Sequence, residues 1–235
     1  MESKPQASIV IPCYNGQAYI AETLKSCLNQ TRSRYEIIVV DDCSKDNSVR
    51  IIKRIMETDK RIRLIQLEKN GERSNARNIA IENSKADIIL MLDSDDIMID
   101  NRVEVMIKEF NKRPEIDIIY TNYHLIDENS NPIGLVDCEQ ISIDKIKKTL
   151  YNGIGHSTMA FRKRVFDTVK YPGGEWDKLG IDDWKFQWDA YTGGYKFLLI
   201  KQPLSLYRFI PKVRDENRVA FLKHKEIKAF EDKVK

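Results

Sequence analysis

Tyr35-Glu36-Ile37-Ile38-Val39-Val40-Asp41-Asp42-Cys43-Ser44-Lys45-Asp46 is the stretch that decides the fold. Consecutive β-branched residues run straight into a burst of polar and charged ones. A strand apolar on both faces belongs in a parallel sheet covered on both sides. Tyr35 to Val40 is therefore expected as a strand. Asp46 to Met56 follows as a helix, with Val49, Ile52 and Met56 along one stripe. Working outward, Ala7 to Ile11, Arg63 to Leu67, Asp87 to Leu92 and Ile116 to Thr121 read as strands. Gln17 to Asn29, Arg73 to Asn83 and Asn101 to Asn111 read as helices between them. This β-α alternation implies a Rossmann-like, mostly parallel α/β sheet with helices on both faces. In such sheets ligands sit outside the carboxyl ends of the strands.

The second half is less regular. Asn129 to Pro132 and Pro172-Gly173-Gly174 read as turns. Ile143 to Tyr151, Asp182 to Tyr191 and Glu216 to Val234 read as helices. Ser157 to Arg162, Tyr195 to Ile200 and Leu204 to Arg208 read as strands. At 235 residues one domain is expected, with residues 1–125 as its first half, 126–210 as a smaller second region and 211–235 as a basic helix.

Charge and cysteine usage narrow the function. The net charge of +3 is too small to argue for nucleic acid. It is unevenly spread: Lys201 to Lys235 holds ten Lys/Arg against five Asp/Glu. Such a tail suits an anionic partner, a diphosphate or a peripheral membrane contact, as well as a plain solvated helix face. Cys13, Cys27, Cys43 and Cys138 have no CxxC spacing and read as reduced cysteines of a cytoplasmic protein. Met1-Glu2-Ser3-Lys4 does not read as a secretory leader, and no apolar run approaches the roughly 18 residues of a membrane span.

Each strand end carries polar residues. Pro12-Cys13-Tyr14-Asn15-Gly16 offers a ring that can stack on a base, or an ordinary turn before a helix. Ser44 or Asp46 can cap the next helix, but capping does not require Asp41 and Asp42 as well. Asn70-Gly71-Glu72-Arg73 permits close backbone approach, and Arg73 or Arg77 can meet an anion, although a turn and a solvated helix face would read the same. Asp93-Ser94-Asp95-Asp96 places three carboxylates in four residues, which repel unless a cation is present. Hard oxygen ligands suit Mg²⁺ or Mn²⁺, bound through one or two carboxylates plus substrate phosphates.

Taken together these strand ends resemble family 2 glycosyltransferases. The matching stretches are Ile9 to Asn15, Glu36 to Ser44, Asn70-Gly71 with Ala76-Arg77-Asn78, and Asp93 to Asp96. The resemblance covers about residues 7 to 210. It implies the GT-A fold and an inverting transfer from a nucleotide-sugar donor to a saccharide or lipid-linked saccharide acceptor. At matching positions it implies that Pro12 and Tyr14 line the base, Asp42 holds a uracil edge with support from Asp41, and Gly71 and Arg77 lie along the nucleoside. Asp93, with Ser94, would bind the ribose side and Asp95 the metal. Gly155 to Lys163, including His156, and Asp182-Asp183-Trp184 match acceptor-side segments, with Asp183 as base. A structural histidine and a helix N-terminal acid pair are the plain readings of those last two. Ile210 stands where many relatives carry a histidine near the diphosphate, which leaves Arg208, Lys212 or Arg214 to neutralise phosphate. By the same analogy the setting is surface polysaccharide assembly, such as that of lipopolysaccharide, at the inner face of the cytoplasmic membrane.

Three other classes fit less well. A nucleotidyltransferase making a nucleotide sugar needs a glycine-rich basic loop after the first strand, and Pro12 to Gly16 has no Lys or Arg. A non-catalytic binding module has no need for both Asp95 and Asp183. A dinucleotide dehydrogenase needs a GxGxxG after a strand, and none is present.

Overall fold

The computed structural model describes residues 4–32, 34–142 and 154–210. The expected helices at 143–151 and 216–234, and Lys212 and Arg214, lie outside the described residues. The strands are β1 (Ala7–Cys13), β2 (Tyr35–Asp41), β3 (Ile62–Gln66), β4 (Ile88–Met91), β5 (Ile97–Met98), β6 (Ile118–Thr121), β7 (Tyr123–Ile126), β8 (Pro132–Val136), β9 (Ala160–Arg162), β10 (Phe197–Ile200) and β11 (Ser205–Arg208). The α-helices are α1 (Ile20–Leu28), α2 (Ser48–Met56), α3 (Glu72–Glu82), α4 (Arg102–Lys112), α5 (Glu175–Leu179) and α6 (Asp182–Thr192).

The main sheet has the order β10-β6-β9-β4-β1-β2-β3. β1, β2, β3 and β4 are mutually parallel, as are β6 and β10, and β9 alone runs antiparallel between β4 and β6. β1 and β2 are buried along their whole length. Their side chains alternate between two cores, as a pleated strand requires. Ile9, Ile11, Ile37 and Val39 pack with Ile20 and Leu24 of α1 on one face. Val10, Ile38 and Val40 pack with Ala76, Ala80 and Ile81 of α3 on the other. From β3 the chain crosses to β4 on the far side of β1, so strand order reverses between β1 and β4. That reversal opens a crevice at their carboxyl ends.

Several elements depart from expectation. β9 starts at Ala160 rather than Ser157, because the amide and hydroxyl of Thr158 both bond back to Gly155 O and wind His156–Thr158 into a 3₁₀ turn. α1 starts at Ile20 rather than Gln17, whose amide is held by Asp46 Oδ2 at 3.0 Å. A second sheet, β5-β11-β7-β8, was not anticipated. It brings Arg208 beneath the loop that follows β4.

Leu24 is fully buried, whereas Leu135 on the edge strand β8 is 56% exposed. Leu24→Ala is expected to destabilise the chain by about 2–5 kcal/mol. Leu135→Ala should stay within about 0.5 kcal/mol. Urea unfolding of the two variants measures the difference.

Candidate active site

β1 and β2 deliver the first group of residues. Pro12 is buried beside Val40 in the β1–β2 ladder, and Tyr14 just beyond it is 51% exposed. The Asp42 amide bonds Cys13 O at 2.8 Å, which ties the two strand ends together. Asp41 and Asp42 are both buried. Asp41 accepts the Ser44 N–H at 3.2 Å, and Asp42 Oδ1 accepts the Gly71 N–H at 2.7 Å. Burial raises the Asp42 carboxyl, and the Gly71 amide holds it partly back. Gly71 fits because a Cβ there would run into the Asn75 side-chain amide.

The loop after β4 faces this group across the reversal in strand order. The Ser94 carbonyl accepts the Thr23 hydroxyl at 2.9 Å, and a Cβ on Gly16 would stand only 3.3 Å from Ser94 Oγ. The backbone amide of Asp93 donates to Ser157 Oγ at 2.9 Å. Ser157 is thus brought beneath the acidic loop by the antiparallel β9 and its leading turn. Asp93 and Asp95 differ sharply. Burial works to raise the Asp93 carboxyl, but the facing Arg77 guanidinium at 2.8 Å overcomes it and leaves Asp93 below its ordinary value. Asp95 has no ion-pair partner among the described residues, and burial plus the charge of Asp93 push it up to about 6. Asp96 is buried, accepts the Arg208 N–H at 2.7 Å and is raised well above the usual range by burial and by Asp95.

The second half contributes Asp182 and Asp183 at the start of α6. Asp182 is buried and pairs with Arg77, the same guanidinium that holds Asp93. Asp183 is half-buried and accepts the Trp184 N–H at 2.8 Å. Burial first, and then Asp182, push its carboxyl up to about 6.

Three expected site residues are buried and engaged by neighbouring groups. Trp184 is buried and stacks against Trp176 and Trp188, with ring centroids 6.5 and 5.7 Å away. His156 is buried edge-on to Tyr171 at 5.5 Å, and burial with the Arg77 charge lowers it to about 3, so it stays neutral. Arg208 donates to Asp95 O at 2.8 Å, Asp127 O at 2.9 Å, Ser130 Oγ at 3.1 Å and Glu22 at 2.8 Å, and lies over the Tyr19 ring. Its donors fix the acidic loop instead of facing an open diphosphate site. In sequence, Ser157 and Asp177 have no separate role, and Asp96 stands only as one of three clustered carboxylates. Asp177 lies on α5 and accepts the Ser74 N–H at 3.1 Å, capping α3 from another helix. A cap supplied from 103 residues away leaves no local motif to read.

The residues after β4 fit a divalent cation. They offer carboxylate oxygen only, and Asp95 carries uncompensated charge. Among the described residues no three His, Cys, Asp or Glu converge on a metal-sized site. The protein would thus supply one or two carboxylates and leave the other positions to phosphate and water, as Mg²⁺ and Mn²⁺ accept.

The mostly parallel sheet with acids at its strand ends has the GT-A fold, which two solved glycosyltransferases share. S. aureus TarS 1-349, solved in complex with UDP, superposes with a TM-score of 0.71 at 21% identity, covering 97% of this chain and 69% of that one. The mannosyltransferase PcManGT from Pyrobaculum calidifontis, in complex with GDP-Man and Mn²⁺, gives 0.70 at 16%, covering 97% and 65%. The chain belongs to glycosyl transferase family 2, whose sequence model matches residues 8–169. An uncharacterized glycosyltransferase of Haemophilus influenzae is 32% identical over 209 residues, 89% of this chain and 81% of its own. The Escherichia coli UDP-Glc:alpha-D-GlcNAc-diphosphoundecaprenol beta-1,3-glucosyltransferase WfgD is 33% identical over 165 residues, 70% of this chain and 63% of its own. The protein is a glycosyltransferase.

Ser157→Ala leaves the half-buried Asp93 amide without its acceptor. A loss of about 1–3 kcal/mol is expected. Denaturant titration of the variant measures it, and an unchanged midpoint would mean the hydroxyl does not hold the acidic loop.

Proposed function

We propose that the chain is a metal-dependent, inverting glycosyltransferase using a nucleoside-diphosphate sugar, in the first instance a UDP-sugar. The acceptor is a saccharide hydroxyl, on a free or lipid-linked glycan of a cell-surface polysaccharide. Residues 1–125 hold the donor and 126–210 the acceptor. The observation that carries the reading is the meeting of two acidic groups, Asp93 to Asp96 after β4 and Asp182-Asp183 at the start of α6, bridged by Arg77, which bonds both Asp93 and Asp182. The donor preference is supported by the UDP in the TarS structure and the UDP-Glc in the name of WfgD.

Asp183 receives the proton from the acceptor hydroxyl as that oxygen bonds to the anomeric carbon. The bond to the diphosphate breaks on the opposite face, and the configuration inverts. Asp42 and the exposed Tyr14 receive the base and Asp93 the ribose side. A Mn²⁺ or Mg²⁺ ion on Asp95 would neutralise the diphosphate charge. Within the described residues no helix is long and apolar enough to cross a membrane. A lipid-linked acceptor would be met at the cytoplasmic membrane face, with the basic residues after 210 as the contact.

Asp183→Asn should cut turnover by about 100-fold or more, while calorimetry with UDP and Mn²⁺ still detects binding. Full turnover in that variant sinks the base assignment. Asp95→Ala should abolish the metal-dependent part of UDP binding, and calorimetry unaltered by EDTA in the parent protein would contradict the ligand role. Because the base must be ionised, the rate should fall as pH drops through about 6, the value to which Asp183 is raised. A pH–rate profile at saturating donor reads that limb.

A further inference from the structure

Helix α3 carries a row of polar contacts to the segment that leads into Asp183. Glu72 accepts the Gly174 N–H at 3.1 Å, the Ser74 amide is held by Asp177 at 3.1 Å, and Asn78 exchanges two 3.0 Å bonds with the backbone of Tyr171. Arg77 lies in the middle of this row and pairs with Asp182, the residue directly before Asp183. Its other terminal nitrogen bonds Asp93 at 2.8 Å. The guanidinium is 4% exposed and packs at 5.4 Å over the Tyr171 ring, which is itself stacked on Phe186 at 4.4 Å. Both terminal nitrogens are spent on carboxylates, and Nε is buried with no partner among the described residues. At 4% exposure, with a carboxylate on each terminal nitrogen, the guanidinium presents almost no surface to a nucleoside, the contact that the family resemblance implies.

We propose that Arg77 is a positioning residue for the base: it anchors Asp182, and through it sets the place and the electrostatic environment of Asp183, rather than binding the donor nucleotide. The proposal rests on the reading of Asp183 as base. An arginine suits the task because its fork holds two carboxylates in fixed directions, which a lysine cannot do. The geometry matters because misplacing a reacting group by about 1 Å costs about 100-fold in rate. Arg73, one turn earlier on α3, lies 3.7 Å from Asp182, and the groups facing Asp183 itself are Asp182 on its own helix, Arg77 on α3, Asp93 on the loop after β4, Tyr171 before α5 and Tyr207 on β11. Both tyrosines are raised well above their ordinary range by burial, so they stay neutral. Asp182 and Asp93 push the Asp183 carboxyl up and Arg77 alone among these pulls it down. The two partners of the ion pair therefore act on the base with opposite sign.

The test compares Arg77→Met, Arg77→Lys, Asp182→Asn and the paired variant R77M/D182N with the full-length parent, using UDP with Mn²⁺ for calorimetry and a UDP-sugar turned over in pH–rate profiles. Arg77→Met should lower kcat by about 100-fold, with a much smaller weakening of the UDP Kd through the freed Asp93. Its acid limb should move up by about one pH unit. Asp182→Asn should move that limb down, and Arg77→Lys should recover only part of kcat. If Arg77→Met does not fold, the paired variant removes both buried charges together and should still show a loss of kcat that far exceeds any change in the UDP Kd. A weakened UDP Kd with normal kcat at saturating donor overturns the proposal, as does a limb that moves the same way in both single variants. Asp183→Asn separates the two levels. Its full activity would refute the base reading, whereas its loss beside a normal Arg77→Met refutes the positioning role alone.

Discussion

Acidic crowding at the carboxyl end of the sheet is the constraint to which the surrounding structure responds. Asp41, Asp42, Asp93, Asp95, Asp96, Asp182 and Asp183 all collect where strand order reverses or at the helix that faces it. Like charges out of water cannot all remain ionised without compensation. Backbone amides of Ser44, Gly71, Trp184 and Arg208 answer some of them, and Arg77 answers two more. What is left over sits on Asp95, Asp96 and Asp183, whose carboxyls are raised. A carboxyl raised in the folded state favours folding at low pH, and that contribution is gone once pH passes the folded value. At neutral pH these groups therefore work against the fold, and a bound cation or a transferred proton relieves them.

Topology explains why these acids meet. The parallel strands β1, β2 and β4 release their chains at one edge, so their loops are neighbours without being close in sequence. The antiparallel β9 enters that edge from the other direction and leaves Ser157 under the Asp93 amide. β11 arrives through the second sheet and supplies both a backbone donor for Asp96 and a guanidinium for the Asp95 carbonyl. Asp95 is thus held by its backbone from below while its carboxylate stays unpaired.

The main sheet was legible because apolar β-branched runs such as Ile37 to Val40 carry their burial on both faces in plain view. The acids at the strand ends were legible for the complementary reason: no cap or turn needs so many carboxylates together. The second sheet was not. β5 has two residues, and β8 contains Pro132 and Gly134, residues that argue against a strand when read locally. Arg208 looked like a free cation because its partners, Glu22, Ser130 and the Asp95 carbonyl, come from three distant parts of the chain. His156 was open to either reading for the same reason: its burial against Tyr171 rests on a segment that no local pattern announces.

Asp93 and Asp95 are two residues apart on one loop and end up as different chemical groups. Composition cannot separate them, since each is an aspartate flanked by polar neighbours. The separation comes from Arg77, which reaches Asp93 and not Asp95. Asp93 is held ionised by a permanent partner, so it is suited to a fixed hydrogen-bonding role. Asp95 is left half-buried and raised by that same Asp93 charge, so it gains most from an incoming cation. Because the guanidinium that makes this distinction also grips Asp182, the asymmetry of the donor-side loop and the placement of Asp183 depend on one side chain.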